Sequence, residues 1–329
     1  QAIDIRGARS DAAHVVHEGM EMWATHLLAE EGRLADVRFR LVGDRIKELT
    51  PHAPADGAEV LDGPVQPGLV NHHSHAFQRA MAGQAELRGP GDDSFWTWRE
   101  AMYALAETLD PEGVEIVARL LYTEMLEAGS TAGGEFHYLH HQPGGTPYAN
   151  PLRLAEAILA AGNDSGLRVT LLPVQYERGG FDRPPAPRQL RFCHEPEAFV
   201  QFWTKLRERF DGPVGFAPHS LRAVPLESLQ YSLQAIHDRD PNAVVHVHVA
   251  AQPAEVDEVV AHLGQRPVAA LLPLADERWC FVHATHVTPE ETTGMAERNL
   301  VAGLCPTTEA NLGDGIFPAA EFLAAGGRF

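Results

Sequence analysis

The chain has 329 residues, 44 % of them hydrophobic, enough for one large α/β barrel or two average domains with a sizeable core. Acidic residues outnumber basic ones, 45 against 26, for a formal charge of −19; this argues against nucleic acid or an anionic membrane as main partner, but not against a small anionic substrate held by a few arginines. Cys193, Cys280 and Cys305 are far apart and read as reduced thiols of a cytoplasmic protein, and neither a membrane-length apolar run nor a secretory signal is present.

In chain order, residues 1–22 read as a leader-like segment, an upstream translation or an expression scar, because Gln1 is not an initiator. Residues 23–66 predict a partial β-sandwich domain with strands at 23–28, 37–41 and 45–49 and a turn at Gly43-Asp44. From residue 67 to 329 the pattern changes to strand, loop, helix, repeated. Strands are expected near Val70 and at 131–137, 167–174, 214–217, 244–249, 280–284 and 300–305. Helices are expected at 110–129, 152–161, 196–210, 225–237 and 253–263, from a capping box at Thr288-Pro289-Glu290-Glu291, and at 318–325.

Seven strands alternating with helices argue a parallel sheet with helical crossovers. The expectation is an incomplete (β/α)8 barrel, with a doubly wound open sheet as the alternative. His75, His137, His219, His248 and His283 all fall at or just past predicted strand ends, where barrel enzymes carry their chemistry. That placement favours the barrel.

The most informative stretch is Asn71-His72-His73-Ser74-His75-Ala76-Phe77-Gln78-Arg79. Residues two apart on a strand share a face, so His73 and His75 can aim both imidazoles at one metal ion. A histidine-rich polar loop is the competing reading. His246-Val247-His248 repeats the spacing on the fifth barrel strand and favours at least one ligand there; the alternative is one core histidine and one facing a helix.

These residues carry a resemblance. His73 to Gly83, Ser94 to Glu100, Glu135 to His141, Pro218 to Arg222, Val282 to His286 and Cys305 to Gly315 together resemble the formimidoylglutamate deiminases, a family of the amidohydrolase superfamily. The resemblance runs from about residue 23 to the end. It implies hydrolysis of N-formimidoyl-L-glutamate to N-formyl-L-glutamate and ammonia in histidine degradation. It also implies one divalent metal, zinc with iron as the alternative, held by His73, His75, His248 and an aspartate of an eighth strand. His283 would then stabilise the tetrahedral intermediate or share proton transfer. Gln78, Arg99, Tyr138, His219 and Arg222 would hold the glutamyl part, arginine being suited to carboxylates. Without the resemblance, Arg99 and Arg222 read as surface ion pairs, and Trp96 and Trp98 as packing residues. A homodimer is a further expectation.

Two departures stand out. Where the family has His-x-x-Glu, this chain has His248-Val249-Ala250-Ala251, and Ala251 cannot exchange a proton. The next acid, Glu255, follows Pro253 on a predicted helix and is not expected to substitute. The sequence also stops before the Ser-Asp-Ser-His-like tract of strand eight, which would leave the outer edges of strands one and seven unpaired. The expected activity is therefore impaired deimination. The alternatives are a related ring deaminase, or a non-catalytic protein that binds metal or ligand.

Overall fold

A computed structural model describes residues 19–29, 32–43, 45–85 and 95–329. The leader-like stretch up to residue 18, Asp44 of the expected turn, Ser94, and the side chain of Trp96 lie outside the described residues. The chain divides into two compact units. As far as they are described, Gln1–Asn71, Tyr122–Gly133 and Gly162–Arg168 form one, and His72–Leu121, Gly134–Ala161 and Val169–Phe329 the other.

The first unit carries a four-stranded sheet of order β3-β2-β1-β4. Strand β1 (Met20–Ala29) takes in the last three residues of the stretch read as a leader. It pairs antiparallel with β2 (Gly32–Val42), and β3 (Arg45–Thr50) continues from β2 with a register shift at Arg40/Leu41. The short β4 (Glu59–Val60) lies parallel to β1 and was not legible as a strand. Val37 and Phe39, two apart on β2, share a face and build the core with Ala24 and Leu27.

All seven expected barrel strands are present. β5 (Leu69–Ser74), β6 (Ser130–His137), β7 (Arg168–Gln175) and β8 (Ala217–Pro218) form one sheet in chain order, the first three running from the first unit into the second. β9 (Val245–Val249), β10 (Trp279–His283) and β11 (Val301–Gly303) form the next, paired in parallel. A parallel bridge between Phe216 and Val245 joins the two sheets. Every residue of β10 is buried, as expected for a parallel strand covered on both faces.

The helices are α1 (Phe95–Ala106), α2 (Pro111–Glu127), α3 (Arg153–Ser165), α4 (Pro196–Arg209), α5 (Leu226–His237), α6 (Pro253–Leu263), α7 (Pro267–Leu271), α8 (Pro289–Glu297), α9 (Pro306–Leu312) and α10 (Ala319–Ala324). The capping box forms as expected: Glu291 N donates to the Thr288 hydroxyl at 3.2 Å, and Thr288 N to the Glu291 carboxylate at 2.9 Å. Helices α1, α7 and α9 were not anticipated.

Strand β8 is shorter than the expected 214–217. Pro213 and Pro218 cannot donate to a ladder, so pairing reduces to isolated contacts at Val214 and Phe216 beside the two-residue strand. Gly215 between them is needed: a Cβ there would sit 2.5 Å from Val244 O. Its carbonyl accepts the Trp203 indole N–H at 2.8 Å, which locks α4 against β8. At Gly134 on β6, a Cβ would meet His72 O at 2.7 Å, so only glycine lets β6 approach β5 beside the histidine motif. The outer edge of β11 is not bare, contrary to expectation: Ala302 N donates to Arg328 O at 2.9 Å in a parallel bridge between Val301 and Arg328.

Candidate functional site

Three histidines converge in the second unit. His73 and His75 come from the end of β5 and His248 from β9. His73 Nε2 lies 3.0 Å from His75 Nε2 and 3.2 Å from His248 Nε2, and all three offer ligand atoms within 4.8 Å of one another. Three nitrogens bound about 2 Å from one ion would sit roughly 3.3 Å apart at tetrahedral angles. The other ring nitrogens explain the orientation. His75 Nδ1 is 2.9 Å from Phe136 O and His248 Nδ1 is 3.1 Å from His219 O. A carbonyl only accepts, so both Nδ1 atoms carry the hydrogen and both Nε2 lone pairs face the cluster.

Burial pulls the His75 imidazole down to about 4, against the opposing Phe136 hydrogen bond. Burial, reinforced by neighbouring histidines, holds His73 and His248 well below the usual imidazole range. Neutral imidazoles with converging lone pairs are the donor set a divalent cation needs. The residues therefore fit a metal ion.

Phe136 packs under this cluster, its ring centroid 5.2 Å from His73, 5.1 Å from His75 and 4.4 Å from His248. His283, at the end of β10, stacks on His248 at 5.5 Å with an interplanar angle of 16°. Its Nδ1 is 3.1 Å from the buried Glu309 carboxylate, whose same oxygen accepts Cys305 N at 2.9 Å. Burial alone would lower His283; hydrogen bonds to Cys305 and Glu309 override it and raise the imidazole to about 9. Ligand atoms of His283, Cys305 and Glu309 also fall within 4.8 Å of one another, but these hydrogen bonds already account for the grouping.

The cluster opens into a cavity of about 410 Å³ lined also by Gln78, Arg99, Tyr138, His219 and Arg222. Gln78 donates to the Tyr138 hydroxyl at 2.8 Å, and Tyr138 is pushed up chiefly by burial, so it stays a neutral phenol. His219 is depressed by burial and then by Arg222. Arg178 holds the chain before Arg222, donating to Leu221 O at 2.9 Å and Arg222 O at 3.0 Å. Arg99 lies 5.6 Å from the Tyr103 ring centroid. Trp98, whose sequence reading was packing, lines the cavity too.

Ala251 lines the same cavity and brings no proton-exchanging group. Glu255 is nevertheless there. It sits in the first turn of α6, but its carboxylate turns back, Oε1 3.2 Å from Ala250 N and Oε2 2.9 Å from Ala251 N. The helix placement that set it aside in the sequence is correct; the direction of its side chain was not readable. The backbone is strained at these strand ends, with positive φ at Ala250 (51°), His283 (68°) and Ala284 (47°), a conformation that costs L-residues on the order of 1–3 kcal/mol each.

Other strand-end histidines do not join. His137 is buried outside the cavity lining, 5.8 Å from His140 between ring centroids, because alternation turns Phe136 to the histidine cluster and Tyr138 to the cavity. His246 lies outside the converging group, and His286 meets Asp314 O at 2.7 Å. Sequence reasoning missed Phe136, Glu309 and Tyr176, the last of which lines the cavity. A charge in the first turn after Pro306 was the available signal for Glu309.

Known proteins resemble this chain. The Amidohydrolase family pattern matches residues 65–329. The chain belongs to the amidohydrolase family. It is 48 % identical over 314 residues to a formimidoylglutamate deiminase of Pseudomonas aeruginosa, covering 93 % of this chain and 69 % of that protein. An amidohydrolase from Brucella melitensis superposes with a TM-score of 0.89 at 47 % identity, over 94 % of this chain and 70 % of that one. An adenosine deaminase from Xanthomonas campestris with bound zinc shares the fold at a TM-score of 0.71 and 24 % identity, over 94 % of this chain and 67 % of that one. The fold is thus the (β/α)8-type amidohydrolase architecture, and the chain is by family a hydrolase of C–N bonds. Among the described residues no helix is long and apolar enough to cross a membrane.

Proposed function

We propose that this protein hydrolyses N-formimidoyl-L-glutamate to N-formyl-L-glutamate and ammonia, with one divalent metal, zinc, held by His73, His75 and His248. The observation that carries the reading is the combination, in one cavity, of three converging imidazole nitrogens and two arginines, Arg99 and Arg222. The 48 % identity to the Pseudomonas deiminase supports the same substrate. Zinc suits an all-nitrogen set of neutral imidazoles. When bound, such an ion supplies the acidification of a water near neutral pH.

The chain's own residues do the rest. Arg222 and Arg99 bind the glutamyl carboxylates, arginine's fork matching two carboxylate oxygens. His219, Tyr138 and Gln78 supply hydrogen bonds beside them and fix the orientation. His283 faces the reacting carbon from β10 and donates to the oxygen that gains charge in the tetrahedral intermediate. The small β portion at 23–66 is a separate domain and residues 67–329 carry the chemistry. The test is ammonia release from N-formimidoyl-L-glutamate by metal-loaded protein, with adenosine as the ring-substrate control. Release from adenosine alone would move the reading to a ring deaminase. Release from neither, with metal bound, would leave a binding protein.

A further inference from the structure

We propose that Glu255 is the proton-carrying carboxylate of this site, acting in place of the glutamate that the family pattern puts at residue 251. The proposal rests on the deiminase reading above and adds a catalytic residue to it.

Position 251 contributes only a methyl group to a cavity where a proton must move from attacking water to leaving nitrogen. Among the described residues, three carboxylates line that cavity, and two are committed. Glu258 pairs with Arg183 and Asp314 accepts from the Gln252 amide, while Glu309, outside the lining, bonds His283. The Glu255 carboxylate accepts from the backbone N–H groups of Ala250 and Ala251. Those two bonds hold its carboxylate against the main chain of the very position that lacks the acid. Each oxygen keeps a lone pair for a further partner. Glu255 also lines the cavity together with His73, His75, His248 and His283.

The charge environment suits the task. Burial raises the Glu255 carboxyl above the usual carboxylate range, while Arg222, the two N–H groups and His283 oppose that rise. A carboxylate poised between these effects both accepts and returns a proton, and efficiency is greatest when its pKa approaches the working pH.

The steps balance. Starting from the cationic formimidoyl group, water oxygen bonds to the formimidoyl carbon as one of its protons passes to Glu255. Glu255 returns that proton to the terminal nitrogen. The C–N bond breaks with its electron pair on nitrogen, the remaining hydroxyl proton leaves with it as ammonium, and the carbon keeps the oxygen as a formyl group. Glu255 ends as the carboxylate it began as.

Four metal-loaded proteins test this: the parent chain, Glu255→Gln, Ala251→Glu and the double variant. Each is assayed for kcat on N-formimidoyl-L-glutamate, for metal content, and by calorimetry for binding of N-guanidino-L-glutarate. Glu255→Gln should lower kcat by roughly a hundredfold or more, the usual range for a general acid–base group, with metal content and analogue Kd unchanged. With glutamate restored at 251, the same substitution should cost far less. Should Glu255→Gln fail to fold, Glu255→Asp, which shortens the arm, should show the same loss in kcat at unchanged Kd. A parent whose kcat ignores Glu255→Gln overturns the assignment, as does an equal loss in both backgrounds, which marks a purely structural role. A parent that is inactive while Ala251→Glu is active also overturns it. No turnover by any of the four overturns the deiminase reading beneath it.

Discussion

Glu309 Oε1 lies 3.1 Å from His283 Nδ1, and through this contact α9 orients an imidazole on β10. The carboxylate only accepts, so Nδ1 carries a hydrogen and Nε2 is left for the cavity. His283 sits at about 9 in the folded chain against an ordinary 6.5. A raised folded value contributes stability that is fully present below about 6.5 and is lost as pH rises through about 9. The parent should therefore lose stability between those values, by roughly 3.5 kcal/mol at most at about 1.4 kcal/mol per unit. Glu309→Ala should flatten that part of the profile. Urea unfolding at pH 6 and pH 9.5 checks it, and equal pH slopes in the two proteins would remove the pair.

The opposite sign holds for the buried neutral histidines. Burial depresses His75 to about 4 and His137, His194 and His246 to about 3. Below about 6.5 the unfolded chain takes up protons that the folded chain refuses, so stability falls as pH falls toward these values. Each such histidine removes roughly 1.4 kcal/mol per pH unit in that window. Even two of them should drop the urea midpoint markedly from pH 7 to pH 5, and a flat midpoint would contradict their burial as neutral groups.

Metal binding should depend on the converging histidines and not on their neighbour. His73→Ala, His75→Ala and His248→Ala should each abolish stoichiometric zinc, measured by mass spectrometry after dialysis. His246→Ala should retain it, since His246 lies outside the converging group. Zinc at a hundred times its Kd should stabilise the parent by roughly 2.7 kcal/mol, readable as a rise in Tm that the three ligand variants lack. An equal rise in all proteins would place the ion elsewhere.

Substrate recognition should depend on Arg222. Charge-assisted hydrogen bonds contribute roughly 1.5–3 kcal/mol, so Arg222→Met should weaken N-guanidino-L-glutarate by about tenfold to a hundredfold. Arg209, in a surface pair with Glu156 at 3.2 Å, serves as the control, and Arg209→Met should leave affinity unchanged. Equal affinity in the parent and Arg222→Met would take Arg222 out of the pocket.

Arg191 should matter for stability rather than turnover. It is fully buried and donates to Leu109 O at 3.0 Å and His141 O at 3.2 Å, as well as to Ala106 O. Removing it leaves three carbonyls without their donor, so Arg191→Ala should cost about 2–4 kcal/mol in urea unfolding. A loss below about 0.5 kcal/mol would mean that water replaces the guanidinium.

The alternation of strands and helices, the capping box at Thr288 and the shared face of His73 and His75 are local properties. They follow from periodicity and neighbour chemistry, so the amino-acid sequence determines them without reference to the rest of the chain. The meeting of His73 with His248 is different. These residues are 175 positions apart, and their 3.2 Å contact depends on the order and curl of seven strands. The same holds where side-chain direction decides the outcome. Helical pattern placed Glu255 on α6, but only its contact with Ala250 and Ala251 turns the carboxylate into the cavity. His137 and Tyr138 are adjacent and so face opposite ways, yet which of them reaches the cavity depends on how β6 sits beside its neighbours. Backbone propensity is set within a few residues; the convergence of lone pairs and charges is set by packing between elements, and the site is made of that packing.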